Sequence, residues 1–144
     1  MKTVKQILRD KGSRVLSIQP DALAYDALKL MAEKDVGALL VLDKGRLVGI
    51  ISERDYARKV ILKGKSSPNT PVRDIMTERV MFVRPEQTVE ECMALMTEKH
   101  VRHLPVLAGD QVAGIVSIGD LVKASIDEKD FMIKQLENYI TGGR

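Results

Sequence analysis

Two stretches of the sequence share one pattern, GIISERD at residues 49–55 and GIVSIGD at residues 114–120. Both consist of a glycine, two apolar residues, a serine, two variable residues and an aspartate. The 65 positions between them are the period of a longer repeat, because the chain matches itself at this shift without a gap. The other identical pairs under this shift include Pro20 with Pro85, Leu30-Met31 with Leu95-Met96, and Val41-Leu42 with Val106-Leu107.

The repeat divides the chain into four parts. We predict a first repeat over residues 1–63, a linker over 64–71, a second repeat over 72–126 and a helical tail over 127–144. The linker assignment depends on its Gly, Ser, Pro and Asn content. A shorter match at a shift of 68 relates residues 4–7 to residues 72–75, so it extends the similarity to the start of each repeat.

Each repeat has the pattern strand, helix, strand, strand, helix. Short strands are predicted at Val15–Ile18 and Val80–Val83, and apolar hairpins at 37–51 and 104–116. Apolar residues at helical spacing predict one buried face per repeat, formed by Ala24, Ala27, Leu28 and Met31 and by Val89, Cys92, Met93 and Met96. We place Ala57, Val60 and Ile61 inside the next helix of the first repeat, and Val122 and Ile126 inside its equivalent. The fold class is therefore α/β (α+β), with a small three-stranded sheet and two helices in each repeat.

Such a sheet leaves one face to be covered. We expect the second repeat to cover it, so that a pseudo-twofold axis relates the two repeats and a cleft lies between them.

The composition excludes several classes of protein. A net charge of +3 and an aromatic content of 3% do not suit a nucleic-acid-binding domain, and no apolar run approaches a membrane span. The single cysteine, Cys92, cannot form an internal disulfide. With an N-terminus that lacks a signal-like apolar stretch, this favours a cytoplasmic protein.

Each motif allows two interpretations. In one, the serine caps the following helix and the aspartate stabilises its first turn. In the other, the first-turn amides and the serine bind phosphate while the aspartate accepts hydrogen bonds from a ribose diol. Because the motif occurs twice, each time beside the expected cleft, the ligand-binding interpretation is favoured. Arg54 adds a charge at the first motif where the second has Gly119, so we expect unequal sites.

These residues carry a resemblance to a known family. The two motifs, with VRDIMT at 72–77, VRP at 83–85 and VRHLPV at 101–106, make residues 4–126 similar to a tandem CBS-domain pair, or Bateman module. The resemblance implies a regulatory protein without catalysis of its own. Its ligand would be an adenine nucleotide (AMP, ADP, ATP or NAD(H)) or S-adenosylmethionine, and it would signal the ligand state to a regulated protein partner.

The resemblance also implies site residues. Asp55 and Asp120 would hold ribose hydroxyls, and Ser52 and Ser117 would face the ribose and phosphate. The base would lie against Ile50 and Ile115. Further base contacts would come from the opposite repeat, near Val36, Gly37 and Ala38 or near Val101, Arg102 and His103, and from the first strands near Val15 or Val80.

Several features stay open between a structural and a functional interpretation. His100, Arg102 and His103 form either a solvated loop or a phosphate contact. Two histidines and one cysteine do not indicate a metal site, and Cys92 fits a core position. The tail helix packs either on its own domain or in a homodimer, which the resemblance favours. One alternative function is an enzyme acting on NAD or a nucleotide, but the sequence shows no nucleophile–base pair. Another is a DNA-associated regulator, but the sequence shows no helix-turn-helix.

Overall fold

The computed structural model describes residues 1–140, which form two compact units. Residues 14–81, here called the first unit, carry the motif at 49–55. Residues 1–13 together with the chain from Phe82 onward, here called the second unit, carry the motif at 114–120. The units therefore do not coincide with the sequence repeats, because the start of each repeat belongs to the other unit.

The first unit contains a three-stranded sheet of order β1-β2-β3, in which β1 is parallel and β3 antiparallel to β2. Its elements are β1 (Ser17–Ile18), α2 (Ala24–Lys34), β2 (Ala38–Asp43), β3 (Arg46–Ser52), α3 (Glu53–Tyr56), a π-helical turn (Ala57–Ile61) and two 3₁₀ turns (Ser67–Asn69 and Val72–Asp74). The predicted sheet of this repeat is confirmed.

The second unit contains α1 (Val4–Lys11), α4 (Val89–Lys99), β4 (His103–Ala108), β5 (Gln111–Ser117) and α5 (Ile118–Ile140). Its sheet has two strands, β4 and β5, rather than the three predicted. The strand predicted at Val80–Val83 is reduced to one parallel bridge between Val83 and Val106. The boundary between the two units falls within this stretch, after Met81.

The opening segments of the repeats are exchanged between the units. Val4, Ile7 and Leu8 of α1 are buried in the core of the second unit, and Val72 and Ile75 in the core of the first. The two motif glycines permit this packing. A Cβ at Gly49 would lie 2.6 Å from Sδ of Met76, and one at Gly114 would lie 2.7 Å from Cδ2 of Leu8. Each glycine thus leaves room for a side chain that packs against the strand.

The predicted buried helix faces are confirmed in α2 and α4, where the fully buried residues are Ala24, Ala27, Met31, Val89, Cys92 and Met96. The faces predicted for the second helices are wrong at most positions. Val60 is buried, but Ala57, Ile61, Val122 and Ile126 are exposed. Leu121 and Ala124 form the buried face of α5 instead, because the helix begins at Ile118 and these positions face the core.

The predicted tail does not form a separate element. Helix α5 runs without a break from Ile118 to Ile140, and residues 141–144 of the tail lie outside the described residues. The stripe of Met132, Leu136 and Tyr139 is exposed rather than packed on its own unit. No helix within residues 1–140 combines the length and apolar content that a membrane span needs.

Candidate functional site

The first motif forms a helix cap. Ser52 ends β3, and its backbone N–H and hydroxyl both donate to Oδ2 of Asp55 at 3.0 Å. In return, the backbone N–H of Asp55 donates to the Ser52 hydroxyl at 3.1 Å. This reciprocal arrangement is a capping box, so the prediction that the serine caps the following helix is confirmed.

Two further side chains reach Asp55 from outside the motif. Nζ of Lys59 lies 3.4 Å from Oδ1 of Asp55 and donates to the carbonyl of Ile75 at 3.0 Å. The Thr77 hydroxyl donates to the same Oδ1 at 3.4 Å. Thr77 is held beside the motif by paired backbone hydrogen bonds with Ile50, of 2.9 and 3.1 Å. One carboxylate thus gathers an ammonium, two hydroxyls and a backbone amide.

The second motif repeats the cap. The backbone N–H of Ser117 donates to Oδ2 of Asp120 at 2.8 Å, and that of Asp120 donates to the Ser117 hydroxyl at 3.1 Å. Here the lysine comes from α1: Nζ of Lys11 donates to Oδ2 of Asp120 at 2.7 Å and to the carbonyl of Ile115 at 3.0 Å. Each motif aspartate therefore has a lysine that also binds a backbone carbonyl.

The environment of Asp120 favours its charged form. Partial burial raises the pKa of Asp120, but the hydrogen bonds from Lys11 and Ser117 outweigh burial, so the pKa lies below its usual 3.8. The group is a carboxylate at any physiological pH. It can therefore accept hydrogen bonds from a ribose diol, although Oδ2 already accepts two.

His103 lies beside this site, opposite Ser117 in the β4–β5 register. Burial lowers the pKa of His103; Asp120 raises it in part, and Lys11 and Arg102 lower it further. The pKa falls below its usual 6.5, so the ring is neutral at pH 7. His103 is then a hydrogen-bonding group at this site rather than a fixed cation.

The amides expected to bind phosphate are largely occupied. Glu53 N–H donates to the Gly37 carbonyl at 3.0 Å, and Ile118 N–H donates to the Arg102 carbonyl at 2.9 Å. The amides of Asp55 and Asp120 are used in the caps. Two of the first three amides of each helix are thus already bonded, so the expectation that these amides are available to phosphate is wrong for them.

The remaining predicted residues differ in burial and in their contacts with the motifs. Ala38 pairs with Ser52, and Ile50 and Ile115 are half-buried in β3 and β5. Half-buried residues also include Val15, Val36, Gly37, Val80 and Val101, whereas Arg54 and Arg102 are exposed. The expected contact of a base with the opposite repeat stays a prediction.

Three residues at the sites are absent from the sequence prediction. Lys59 stands four residues after Asp55, a spacing that predicts a helical ion pair. Thr77 belongs to VRDIMT, one of the stretches that carry the family resemblance, and the sequence gives no separate reason to place it at the site. Nothing in the sequence marks Lys11 as a site residue, because it contacts Asp120 only through the packing of α1.

A groove of about 110 Å³ lies between α1 and α5 in the second unit. Its charged lining residues are Lys2, Asp10, Lys11, Asp120, Lys123 and Asp127. Within residues 1–140, no group of three or more His, Cys, Asp or Glu side chains could hold a metal ion. Burial raises the pKa of Cys92 to about 11, with Glu91 and Glu90 adding to it, so this thiol is not an activated nucleophile.

Comparison with known proteins gives a consistent result. The CBS-domain family profile matches residues 4–62 and 72–127. A mitochondrial CBS domain-containing protein of Arabidopsis thaliana, CBSX3, is 42% identical over 98% of this chain and 73% of its own length. A solved structure from Burkholderia ambifaria, described as a signal-transduction protein with CBS domains, is 53% identical with a TM-score of 0.85, over 88% of this chain and 95% of that one.

A third protein shares the fold. The CBS domain pair of protein MJ0100, solved in complex with 5′-methylthioadenosine and S-adenosyl-L-methionine, has a TM-score of 0.79 and 24% identity. The alignment covers 89% of this chain and 98% of that one.

Proposed function

The chain belongs to the CBS-domain family, whose paired domains are regulatory modules, and on that premise we propose that it binds adenine nucleotides and signals their presence to a protein partner. The observation that carries the proposal is the gathering of a carboxylate, a serine hydroxyl and a lysine ammonium at both motifs. These residues support the ligand class, whereas the likeness to the complex with methylthioadenosine concerns the fold alone.

The chemistry of each site matches a ribose with an attached phosphate. A carboxylate accepts hydrogen bonds from both hydroxyls of a ribose diol, as Asp55 and Asp120 could do. A lysine ammonium is a common phosphate contact, and Lys59 and Lys11 are placed at the two carboxylates. The half-buried side chains of Ile50 and Ile115 offer apolar surface to a base.

The two sites differ in charge, so we propose that they bind nucleotide with different affinities. The first has Arg54 in the helix turn and Ala38 on the neighbouring strand; the second has Gly119 and His103 at the same places. Their lysines also differ in origin, since Lys59 follows Asp55 on the same helical segment and Lys11 comes from α1.

Ligand binding tests the proposal directly. Protein shown by mass spectrometry to carry no small molecule is titrated calorimetrically with AMP, ADP, ATP and NADH, with GMP and CMP as controls. We expect binding that favours adenine. A ligand at about 100 times its Kd would add about 2.7 kcal/mol to the free energy of unfolding. A regulatory module returns the nucleotide unchanged, whereas turnover of ligand would support the alternative of an enzyme. Absence of binding by every adenine compound would contradict the proposal.

We further propose a homodimer formed through α5. Its exposed apolar residues follow a seven-residue period, with Ile126, Ile133 and Ile140 at one position and Val122 and Leu136 at a second. These residues are between 41% and 81% exposed. β-Branched residues at the first position and Leu at the second favour a parallel pair of helices, although Lys129 interrupts the second series.

We also propose a reducing compartment, the cytoplasm, because the single cysteine is buried and unpaired by any disulfide. Fractionation of cells that express the protein would test this. Recovery in an organelle, as the name of the Arabidopsis relative implies for that protein, would contradict it.

A further inference from the structure

We propose that Lys11 is the phosphate-binding residue of the second-unit site, and that Asp120 binds its ammonium only while no ligand is present. The inference rests on the proposed function and adds to it an exchange of Lys11 between Asp120 and phosphate, which makes the site prefer adenosine phosphates to adenosine itself. It starts from a contact that neither the cap nor the helix requires, the bond from Lys11 to Asp120.

The position of Lys11 is fixed by the packing of α1. The helix is capped by Thr3 and Gln6, and its start is bonded to the second unit through Val4 N–H to the Gln87 carbonyl and Lys5 N–H to the Pro85 carbonyl, both 2.9 Å. Val4, Ile7 and Leu8 lie in the core of that unit. Lys11, the last residue of α1, is thereby held at the motif even though its own side chain is one-third exposed.

The ammonium occupies groups that the nucleotide would use. It bonds Oδ2 of Asp120, the expected ribose acceptor, and the carbonyl of Ile115, whose side chain is the expected neighbour of the base. Oδ2 also accepts the Ser117 amide at 2.8 Å. A ribose diol that engages both carboxylate oxygens therefore competes with Lys11 for Oδ2.

The competition makes the site sensitive to phosphate. A ligand without phosphate separates Lys11 from Asp120 and offers the ammonium no new anion. A nucleotide supplies one, so the charge-assisted bond lost at Asp120 is replaced by another. Binding of the ribose and release of Lys11 are then coupled, and the phosphate determines whether the exchange is favourable.

The lysine of the first unit is held differently. Lys59 stands 3.4 Å from Asp55, and it is held by the same helical segment rather than by a second element. Oδ1 of Asp55 also accepts the Thr77 hydroxyl, so the carboxylate depends less on its lysine. The control is Lys5, an exposed lysine of α1 that does not line the groove: Lys5→Met removes the same charge from the helix as Lys11→Met without touching the second-unit site.

The experiment measures AMP and adenosine by calorimetry in a chain whose first site is disabled by Asp55→Asn, with and without Lys11→Met. We expect Lys11→Met to weaken AMP binding by about 10- to 100-fold, the loss of one charge-assisted hydrogen bond. Adenosine should bind equally well or better. Lys5→Met in the same Asp55→Asn chain should leave both affinities unchanged.

Two results would overturn the inference: an unchanged AMP affinity in Lys11→Met, or an equal loss for AMP and adenosine, which would mark a structural role. If Lys11→Met melts below the working temperature, Lys11→Gln, which keeps hydrogen-bond donors without the charge, is held to the same expectations. If the parent chain binds GMP as well as AMP, or binds neither AMP nor adenosine, the proposed function itself fails. Adenine binding without a Lys11 effect removes only this inference.

Discussion

Nζ of Lys11 lies 2.7 Å from Oδ2 of Asp120, although 109 residues separate them along the chain. The equivalent contact in the first unit joins Lys59 to Asp55, four residues apart, at 3.4 Å. The two units thus reach the same pairing of a motif aspartate with a lysine by tertiary packing in one case and by helical spacing in the other. Changes that disturb the docking of α1 should therefore affect the second site and leave the first intact.

The pH dependence of unfolding should report on the Lys11–Asp120 pair. Burial raises the pKa of Asp120, but Lys11 and Ser117 outweigh it and hold the pKa below 3.8. A carboxyl with a lower pKa in the folded chain binds more protons when unfolded, so its stabilisation is present above the unfolded pKa. It is lost as the pH falls through the folded pKa. Lys11→Met removes the ammonium and leaves the burial, so the variant should lose stability at a higher pH than wild type.

Urea unfolding across the acidic range measures this difference. We expect Lys11→Met to be less stable than wild type by about 0.5–1.5 kcal/mol at neutral pH, with the gap closing once Asp120 is protonated. Lys5→Met, which removes an exposed lysine of the same helix, is the control and should show no such gap. A gap that stays constant down to the lowest pH would show that Lys11 does not act through Asp120.

The two motif glycines should respond differently to alanine. A Cβ at Gly49 meets Met76 and also the Thr77 backbone carbonyl, 3.1 Å away, whereas one at Gly114 meets only the Leu8 side chain. We expect Gly49→Ala to cost about 1–3 kcal/mol of stability and Gly114→Ala to cost less, because a side chain can rotate away more easily than backbone can move. Chemical denaturation of each variant gives the two values.

Gly119→Ala provides the control for these substitutions. Its Cβ would lie 3.6 Å from the nearest atom, in a helix where Ala is preferred to Gly, so stability should hold or rise. Met76→Ala should recover part of the loss in Gly49→Ala. If Gly49→Ala is as stable as wild type, the close approach of Met76 does not explain the motif glycine.

The proposed α5 interface predicts the size of the protein in solution. Light scattering at micromolar concentration should give twice the 16.0 kDa chain mass. Leu136→Glu, which places a charge in the apolar stripe, should give the monomer. Lys134→Glu, on the same helix but outside the stripe, should stay dimeric. A monomeric wild type, or a Leu136→Glu variant that remains a dimer, would contradict the interface.

The elements that depend on local pattern are predictable from the sequence. Apolar alternation and the intervening turns give both hairpins, and the spacing of Ala24, Ala27 and Met31 gives the buried face of α2. In α5 the same spacing predicts that Val122 and Ile126 are buried, and this prediction is wrong because both are exposed. An apolar stripe indicates that one face of a helix packs against another surface, but it does not show whether that surface is the chain's own core or another chain.

Contacts between distant segments are the part that the sequence does not reveal. The match of residues 4–7 with 72–75 shows that the two segments are alike, but not that each packs on the other repeat's sheet. Lys11 meets Asp120 only because of that exchange. The serine–aspartate spacing is local and predicts the cap, whereas its use as a ligand site depends on groups brought by α1 and by Thr77.

The central claim is that Asp55 and Asp120 hold a ligand and are more than helix caps. The chain contains a cap of the same construction elsewhere: Thr88 and Glu91 form a capping box at the start of α4. Glu91→Gln therefore changes a cap without changing a motif, and it is the matched control for Asp55→Asn and Asp120→Asn. Asn and Gln keep an oxygen acceptor for the cap and remove the charge.

The most direct measurement is calorimetry of AMP binding to these three variants and to the Asp55→Asn/Asp120→Asn double variant, each paired with a melting curve of ligand-free protein. We expect one of the two binding events to weaken by at least about 10-fold in each aspartate variant. The double variant should bind no AMP, and Glu91→Gln should bind as wild type. The melting temperature of Asp120→Asn should fall only by the loss of its ion pair with Lys11. Wild-type affinity in the double variant, with a lowered melting temperature, would contradict the account and leave the two aspartates as helix caps alone.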